Sequence, residues 1–247
     1  MALLPIASFV TVWMMGPEFN SSVRIEPNHR LLPELYRHIE LAGERLQSGD
    51  WNEALAHSNT AAVVGEIAYQ VNWGEANPKE VTKRKRAIND AMHQWETVLG
   101  GQIQFVDAPT EGIHINFRDS LQSNGRDTGG HAEWRRQVSQ SPSGEYVSQL
   151  TGDIDIRWLQ PNGKPMTFDQ LRHIAMHEIG HVLGMADSGH VGDIMGPLDL
   201  SRPAKKLAPA EVEAMLTLRE RALALRKVSL VSALRDLEGY TLPRATR

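Results

Sequence analysis

The segment from His177 to Asp187 contains the residue types of a catalytic metal site at a spacing that a helix brings together. His177 and His181 are four residues apart, so on a helix both imidazoles lie on one face and can reach one metal ion. Glu178 follows the first histidine, where a carboxylate can contact a metal-bound water without being a ligand itself. The pattern indicates a metal that activates water, with Glu178 accepting a proton from that water.

Two further features extend the pattern. Gly184 follows His181 at a point where a helix can stop, because glycine tolerates a left-handed backbone. The chain can then turn back towards the metal, and Asp187 is the next residue with a ligand side chain. Beyond it, Met195 lies within a predicted turn formed by residues 193–197. We therefore expect Asp187 as a third ligand.

The order His-Glu-x-x-His-x-x-Gly-x-x-Asp, followed by a methionine turn, resembles the signature of the metzincin zinc peptidases. The segments HEIGHVLG and DIMGP are most similar to the matrixin branch, especially its bacterial members. The resemblance implies a Zn²⁺ ion held by three ligands, with an open position for water. It further implies an endopeptidase that cleaves proteins or peptides, with Glu178 as general base and Met195 as an apolar floor beneath the ligands; the implied ligands are His177, His181 and Asp187.

The third ligand is where the chain departs from the matrixin pattern. Matrixins usually carry histidine at the position of Asp187, whereas aspartate there is similar to the snapalysin-type metzincins. The register of the motif favours Asp187, while the residue type that matrixins prefer favours His190. His173 lies one turn before His177 on the same helix face, but it precedes the glycine turn, so we predict no direct metal contact for it.

Two other functions remain compatible with the pattern. One is a zinc-binding interaction protein without proteolytic activity, although Glu178 argues against it because a structural site needs no base. The other is a zinc hydrolase that acts on a non-peptide amide. Assays of peptide cleavage and of small-amide cleavage distinguish the endopeptidase, the interaction protein and the non-peptide hydrolase.

The helix that carries the ligands must be positioned by the elements before it. Thr167 and Gln170 have the spacing of a capping box, which predicts that this helix begins there. Upstream, alternating and helical patterns predict a strand, a long helix and two strands, at residues 67–73, 78–99, 103–106 and 113–117. This order resembles the opening half of a matrixin catalytic domain. The fold class is therefore predicted as α+β: a zincin-like domain with a twisted mixed sheet, a long backing helix and an active-site helix, plus helical N- and C-terminal extensions.

The part between the strands and the ligand helix is less regular. Residues 118–144 are rich in Gly, Ser, Asp and Asn, which predicts a loop with one short strand near residues 131–134. The resemblance implies that an edge strand here pairs with extended substrate. Residues 145–150 and 152–158 are predicted to form a hairpin.

We predict three parts of the chain: residues 1–65, the peptidase domain at 66–200, and a helical segment at 201–247. In the first part, residues 2–15 are as apolar as a short secretory signal but follow no Lys or Arg. They indicate either the signal of a secreted or extracytoplasmic protein, or a disordered or packed N-terminal strand, in which case the protein can also be cytoplasmic. Residues 33–47 and a second helix opened by an Asp50–Glu53 capping box predict a helical hairpin. That hairpin is either a packing appendage or propeptide, or a module that binds partners.

Composition limits the remaining classes of function. A net charge of −4 gives no reason to expect nucleic acid as a partner. No run of residues is apolar and long enough for a stable membrane span. The chain has no Cys, so disulfides, a thiolate zinc site and thiolate-based latency of the matrixin kind cannot come from these residues. The helical termini could contact each other or a helical partner.

Overall fold

A five-stranded sheet and the helix that carries the two histidines form the centre of the protein. The structure is a computed structural model, which describes residues 27–237 except Glu75, Thr110 and Asn124. The apolar stretch at residues 2–15, predicted as a possible signal, lies outside the described residues.

The sheet is mixed, with the order β2-β1-β3-β7-β6. The first four strands of that order run parallel, and β6 pairs antiparallel with β7 at one edge. A small antiparallel pair, β4-β5, stands apart from it. The strands are β1 (Gly65–Asn72), β2 (Ile103–Asp107), β3 (Ile113–Arg118), β4 (Gln122–Ser123), β5 (Arg126–Asp127), β6 (Gly130–Gln140) and β7 (Tyr146–Arg157).

Two predictions for the strands beside the ligand helix were wrong. The segment predicted as loop with a short strand contains the eleven-residue strand β6. The predicted hairpin is the single strand β7, which pairs with β6 along its whole length. Gly152, where the second strand of that hairpin was predicted to begin, lies within β7, where an added Cβ would be 3.1 Å from Cγ2 of Val182. The glycine therefore permits close packing of the ligand helix on the strand.

The described residues contain five helices: α1 (Pro33–Ser48), α2 (Trp51–Ala61), α3 (Pro78–Val98), α4 (Phe168–Leu183) and α5 (Pro209–Leu237). The long helix α3 buries an apolar stripe that includes Ile88, Met92 and Trp95, as its spacing predicts. The indole of Trp95 donates a hydrogen bond to the Met176 carbonyl at 3.0 Å. This contact places the predicted backing helix against the helix of the ligands.

The ends of α4 follow from its sequence. The predicted capping box is confirmed: Gln170 N–H donates to Thr167 Oγ1 at 3.3 Å, and Thr167 N–H donates to Gln170 Oε1 at 2.8 Å. At the other end Gly184 adopts φ +108°, a left-handed conformation that stops the helix. The box predicted at Asp50 is wrong, because that carboxylate makes no capping bond and instead accepts from Ser48 Oγ.

The predicted helical extensions pack onto the same apolar core as the sheet. From α1, Leu35 and Ile39 are buried, and from α5, Leu218 and Leu225 are buried. The Arg226 side chain of α5 donates to Asn59 of α2 at 2.8 Å, so the terminal helices contact each other. The α+β fold with helical extensions is confirmed, while the three boundaries stay a prediction. Among the described residues, no helix combines the length and apolarity that a membrane span requires.

Candidate metal centre

Three candidate ligand atoms converge beyond the end of α4. Nε2 of His177 and Nε2 of His181 are 3.1 Å apart. Oδ1 of Asp187 lies 3.3 Å from the first and 3.4 Å from the second. Nitrogen and oxygen ligands at ~2.0–2.1 Å around a tetrahedral zinc ion are separated from each other by ~3.3 Å. The three atoms therefore have the spacing that one zinc ion requires.

Backbone carbonyls set the tautomers of both imidazoles. Nδ1 of His177 lies 2.9 Å from the Ile194 carbonyl, and Nδ1 of His181 lies 3.0 Å from the Met185 carbonyl. A carbonyl only accepts, so each Nδ1 carries the hydrogen and each Nε2 presents a lone pair. Two lone pairs at this separation repel each other unless a cation lies between them. The donor set thus fits a zinc ion.

The carboxylate of Asp187 is held in its ionised form. Positive charge at the imidazoles of His177 and His181, which a proton supplies in place of a metal ion, keeps the pKa of this carboxyl well below its usual range, against an opposing effect of burial. An ionised carboxylate is the form that coordinates a metal. The side chain is 77% exposed, so the centre opens to solvent on this side.

Glu178 lies beside the candidate ligands, but its side chain is buried, whereas that of Asp187 is exposed. The Glu178 side chain is 4% exposed, and its carboxylate is within 4.8 Å of ligand nitrogens of both histidines. Burial raises the pKa of this carboxyl, while His177 and His181 act in the opposite direction. Gly130, the first residue of β6, faces it with no side chain between them. A carboxylate so placed can exchange a proton with a water at the ligands.

The methionine turn lies beneath α4, where the sequence predicted it. A Cβ on Gly180 would be 2.5 Å from Sδ of Met195, so this glycine lets the thioether reach the helix between the two histidines. Glu211, at the start of α5, accepts hydrogen bonds from the backbone N–H groups of Ile194 and Met195 at 3.3 and 2.7 Å. The buried carboxylate fixes the turn whose Ile194 carbonyl orients His177.

The two other histidines considered as ligands lie elsewhere. His190 is exposed, and within the described residues no hydrogen bond or ion pair links its ring to His177 or His181. His173 is 2% exposed, and its Nδ1 accepts from the Ala204 N–H at 2.9 Å. Burial lowers the pKa of His173 to about 4, which keeps the ring neutral. His173 borders the cleft without reaching the ligands.

Sequence reasoning missed Trp134, which contributes to the centre from β6. Its indole stacks on the His181 ring with centroids 5.6 Å apart and planes inclined by 10°. The indole N–H donates to Oε1 of Glu34 in α1 at 3.0 Å. No local pattern relates position 134 to position 181, because the contact depends on the pairing of β6 that was not predicted.

A cleft of about 280 Å³ adjoins the ligands and is bordered by the start of the edge strand β6. Its walls are formed by candidate metal-binding side chains, by residues 128–130 at the start of β6, and by residues 195–198 at and after the methionine turn. The lining residues are Thr128, Gly129, Gly130, His173, Ile174, His177, Glu178, Asp187, Ser188, Met195, Gly196, Pro197 and Leu198. An edge strand beside a cleft can accept an extended peptide as an added strand.

Comparison with protein families gives one match: the matrixin family model matches residues 58–218, which is more than half of the chain. The matched stretch begins in α2, covers the whole sheet and all candidate ligands, and ends within α5. A comparison with curated proteins finds no match.

Proposed function

Because the chain belongs to the matrixin family, whose members are zinc metallopeptidases, we propose that it is a zinc-dependent endopeptidase. His177, His181 and Asp187 hold the ion in this proposal, and Glu178 is the general base. The observation that carries it is the convergence of two imidazole nitrogens and one carboxylate oxygen, 3.1–3.4 Å apart, beside a buried glutamate. Three protein ligands leave a fourth position open, as a catalytic zinc site requires.

When bound, zinc supplies a Lewis acid that lowers the pKa of a coordinated water to about 7 and stabilises negative charge on the substrate carbonyl. Glu178 accepts a proton from the water as the oxygen of that water attacks the carbonyl carbon of the peptide bond. Glu178 then donates the proton to the leaving amine. Burial of this carboxyl acts to raise its pKa and so favours the protonated form that donates in the second step.

The shape around the candidate ligands supports an extended peptide as the substrate. The outer edge of β6 is available to pair with an extended chain, and the cleft at its start opens beside Glu178. Pairing with backbone groups holds a peptide without demanding a particular sequence. Proteins or peptides in extended conformation are therefore the proposed substrates.

The test measures zinc content together with cleavage of a mixed peptide library, with and without a chelator. We expect one zinc ion per chain, loss of cleavage in chelator and recovery on addition of zinc. Glu178→Ala should retain zinc and lose at least ~10²–10⁴-fold in turnover, the usual contribution of general acid–base catalysis. Zinc binding without any cleavage would instead favour an interaction protein, and cleavage of small amides alone would favour a non-peptide hydrolase.

A further inference from the structure

An N-terminal segment, residues 28–36, lies directly against the turn that precedes Asp187. It contacts this turn through backbone groups on both sides of Met185. The contacts are a hydrogen bond from Ala186 N–H to Arg30 O at 2.9 Å, one from Leu32 N–H to Gly184 O at 2.9 Å, and an antiparallel bridge between Leu31 and Met185. The turn is thus held by chain more than 150 residues away in sequence.

The backbone of this turn positions two of the three ligands. The Met185 carbonyl accepts the hydrogen bond that orients His181. Asp187 follows two residues later, and among the described residues its exposed carboxylate forms ion pairs only with His177 and His181. The direction of the carboxylate therefore depends on the conformation of the backbone before and after it.

The Arg30 side chain fixes the chain that follows Asp187. Its Nη1 lies 2.8 Å from Oδ2 of Asp193, and the two side chains are only 12% and 15% exposed. The Ser188 hydroxyl donates to the same carboxylate oxygen at 2.9 Å. Asp193 immediately precedes Ile194, whose carbonyl orients His177. Nη1 of Arg30 also lies 3.5 Å from Oγ of Ser188, so one guanidinium contacts both ends of the ligand loop, residues 187–193.

The segment is itself anchored to α1. The Tyr36 hydroxyl accepts from the Asn28 N–H at 2.7 Å, which closes the segment onto the first turn of the helix. Leu35 is fully buried against Gly184, the residue that ends the ligand helix. Arg30 therefore projects from a fixed support.

We infer that Arg30 is a positioning residue of the metal centre, which holds the ligand loop in the conformation that brings Asp187 to the ion. Residues 28–36 are accordingly part of the working enzyme and not of a removable propeptide. The inference rests on the proposed function for the identity of the ligands, but it concerns metal affinity and needs no assumption about the substrate.

The test is Arg30→Gln in the full chain, with zinc affinity measured by competition against a chelator of known affinity. Groups that orient metal ligands typically contribute ~10–100-fold to affinity, and we expect a loss of that size. Arg37→Gln is the matched control, because Arg37 is 59% exposed on α1 and pairs only with other surface residues. It should bind zinc as the wild type does. Arg30→Lys, which retains the charge, should recover part of the loss.

Two further measurements distinguish positioning of the metal centre by Arg30 from a general effect of Arg30 on stability. Denaturant unfolding of the zinc-free variants shows whether stability changes, while the affinity is measured where the protein is folded. Asp193→Asn should lower affinity like Arg30→Gln, and the double variant should lose little more, since both remove one ion pair. Asp193→Asn also serves if Arg30→Gln does not fold. Unchanged affinity in either folded variant, or additive losses, would overturn the inference, whereas a wild type that binds no zinc would overturn the proposed function instead.

Discussion

The carboxylate of Glu178 fills the space that a side chain at Gly130 would need. A Cβ built on Gly130 would lie 2.3 Å from Oε1 and 2.7 Å from both Cδ and Cγ of Glu178. Such distances cannot be accommodated without moving the glutamate. The first residue of the edge strand and the proposed base, Glu178, thus occupy adjoining positions that leave no free volume between them.

Gly130→Ala should therefore displace Glu178 while leaving all three metal ligands in place. We expect turnover to fall by at least ~10²-fold, because general-base catalysis depends on the position of the carboxylate, with zinc content unchanged. Gly43→Ala in α1 is the control, since an added Cβ there meets no atom within 4 Å. Steady-state cleavage and metal analysis of both variants check the prediction, and full activity in Gly130→Ala would contradict it.

Asp187→Ala should weaken zinc binding strongly, whereas His190→Ala should leave it nearly unchanged. Asp187 lies within 3.4 Å of both ligand nitrogens, and His190 is exposed. Removing a ligand also leaves two imidazoles without the anion that balances the metal charge. A metal-competition titration of the two variants compares them, and the opposite order would assign the third ligand to His190.

Gly184→Ala should destabilise the protein more than Gly144→Ala does. Both glycines have positive φ, +108° and +87°, which costs a side chain ~1–2 kcal/mol. At Gly184 the new Cβ would also lie 2.4 Å from Cδ1 of buried Leu35, while at Gly144 the nearest atom is 3.9 Å away. Overpacking adds ~1–3 kcal/mol, and this is the difference expected between the two free energies of unfolding in urea. Equal losses would show that Leu35 moves aside freely.

The free energy of unfolding should fall in mild acid because His38 of α1 packs against His57 of α2. Burial, with smaller effects from the neighbouring His57, lowers the pKa of His38 from 6.5 to about 4; the two Nδ1 atoms are 3.0 Å apart. Between these values the unfolded chain binds the proton and the folded protein does not. The contribution to stability is therefore complete above pH 6.5 and is lost as the pH falls towards 4.

His38→Gln tests this dependence by removing the titrating group. After allowance for solvent around the partly exposed ring, we expect the wild type to lose about 1–2 kcal/mol more than the variant between neutral pH and pH 4. Urea unfolding of both proteins across this range gives the difference. Parallel curves would mean that His38 titrates normally in the folded protein.

The ligand helix was predictable because each of its determinants is local. The cap at Thr167, the four-residue spacing of the histidines and the left-handed stop at Gly184 all act within a few residues of each other. The same holds for the apolar stripe of α3. A sequence read in order contains these relationships directly.

The full length of strand β6 was not predictable, because one of its inward-facing residues is charged and is stabilised by groups that are distant in sequence. Arg136 faces inward at 8% exposure, where a strand pattern calls for an apolar residue. Its guanidinium donates to the carbonyls of Thr60 and Val182, both at 2.6 Å, near the carboxyl ends of α2 and α4. These carbonyls lack partners within their own helices, so they stabilise a buried cation. Nothing near position 136 in sequence reveals them.

The ion pair between Arg30 and Asp193 joins residues that are 163 positions apart. During synthesis the arginine leaves the ribosome long before its aspartate exists, because the N-terminal part of a chain emerges first. Contacts of such separation form late in folding, since the closure of a long loop must precede them. A nascent chain can thus form the histidine-bearing helix while the ion pair that supports the proposed third ligand, Asp187, is still missing. The ion pair therefore forms only after synthesis has passed Asp193, so the two histidines can already lie on their helix before the loop that carries Asp187 is fixed.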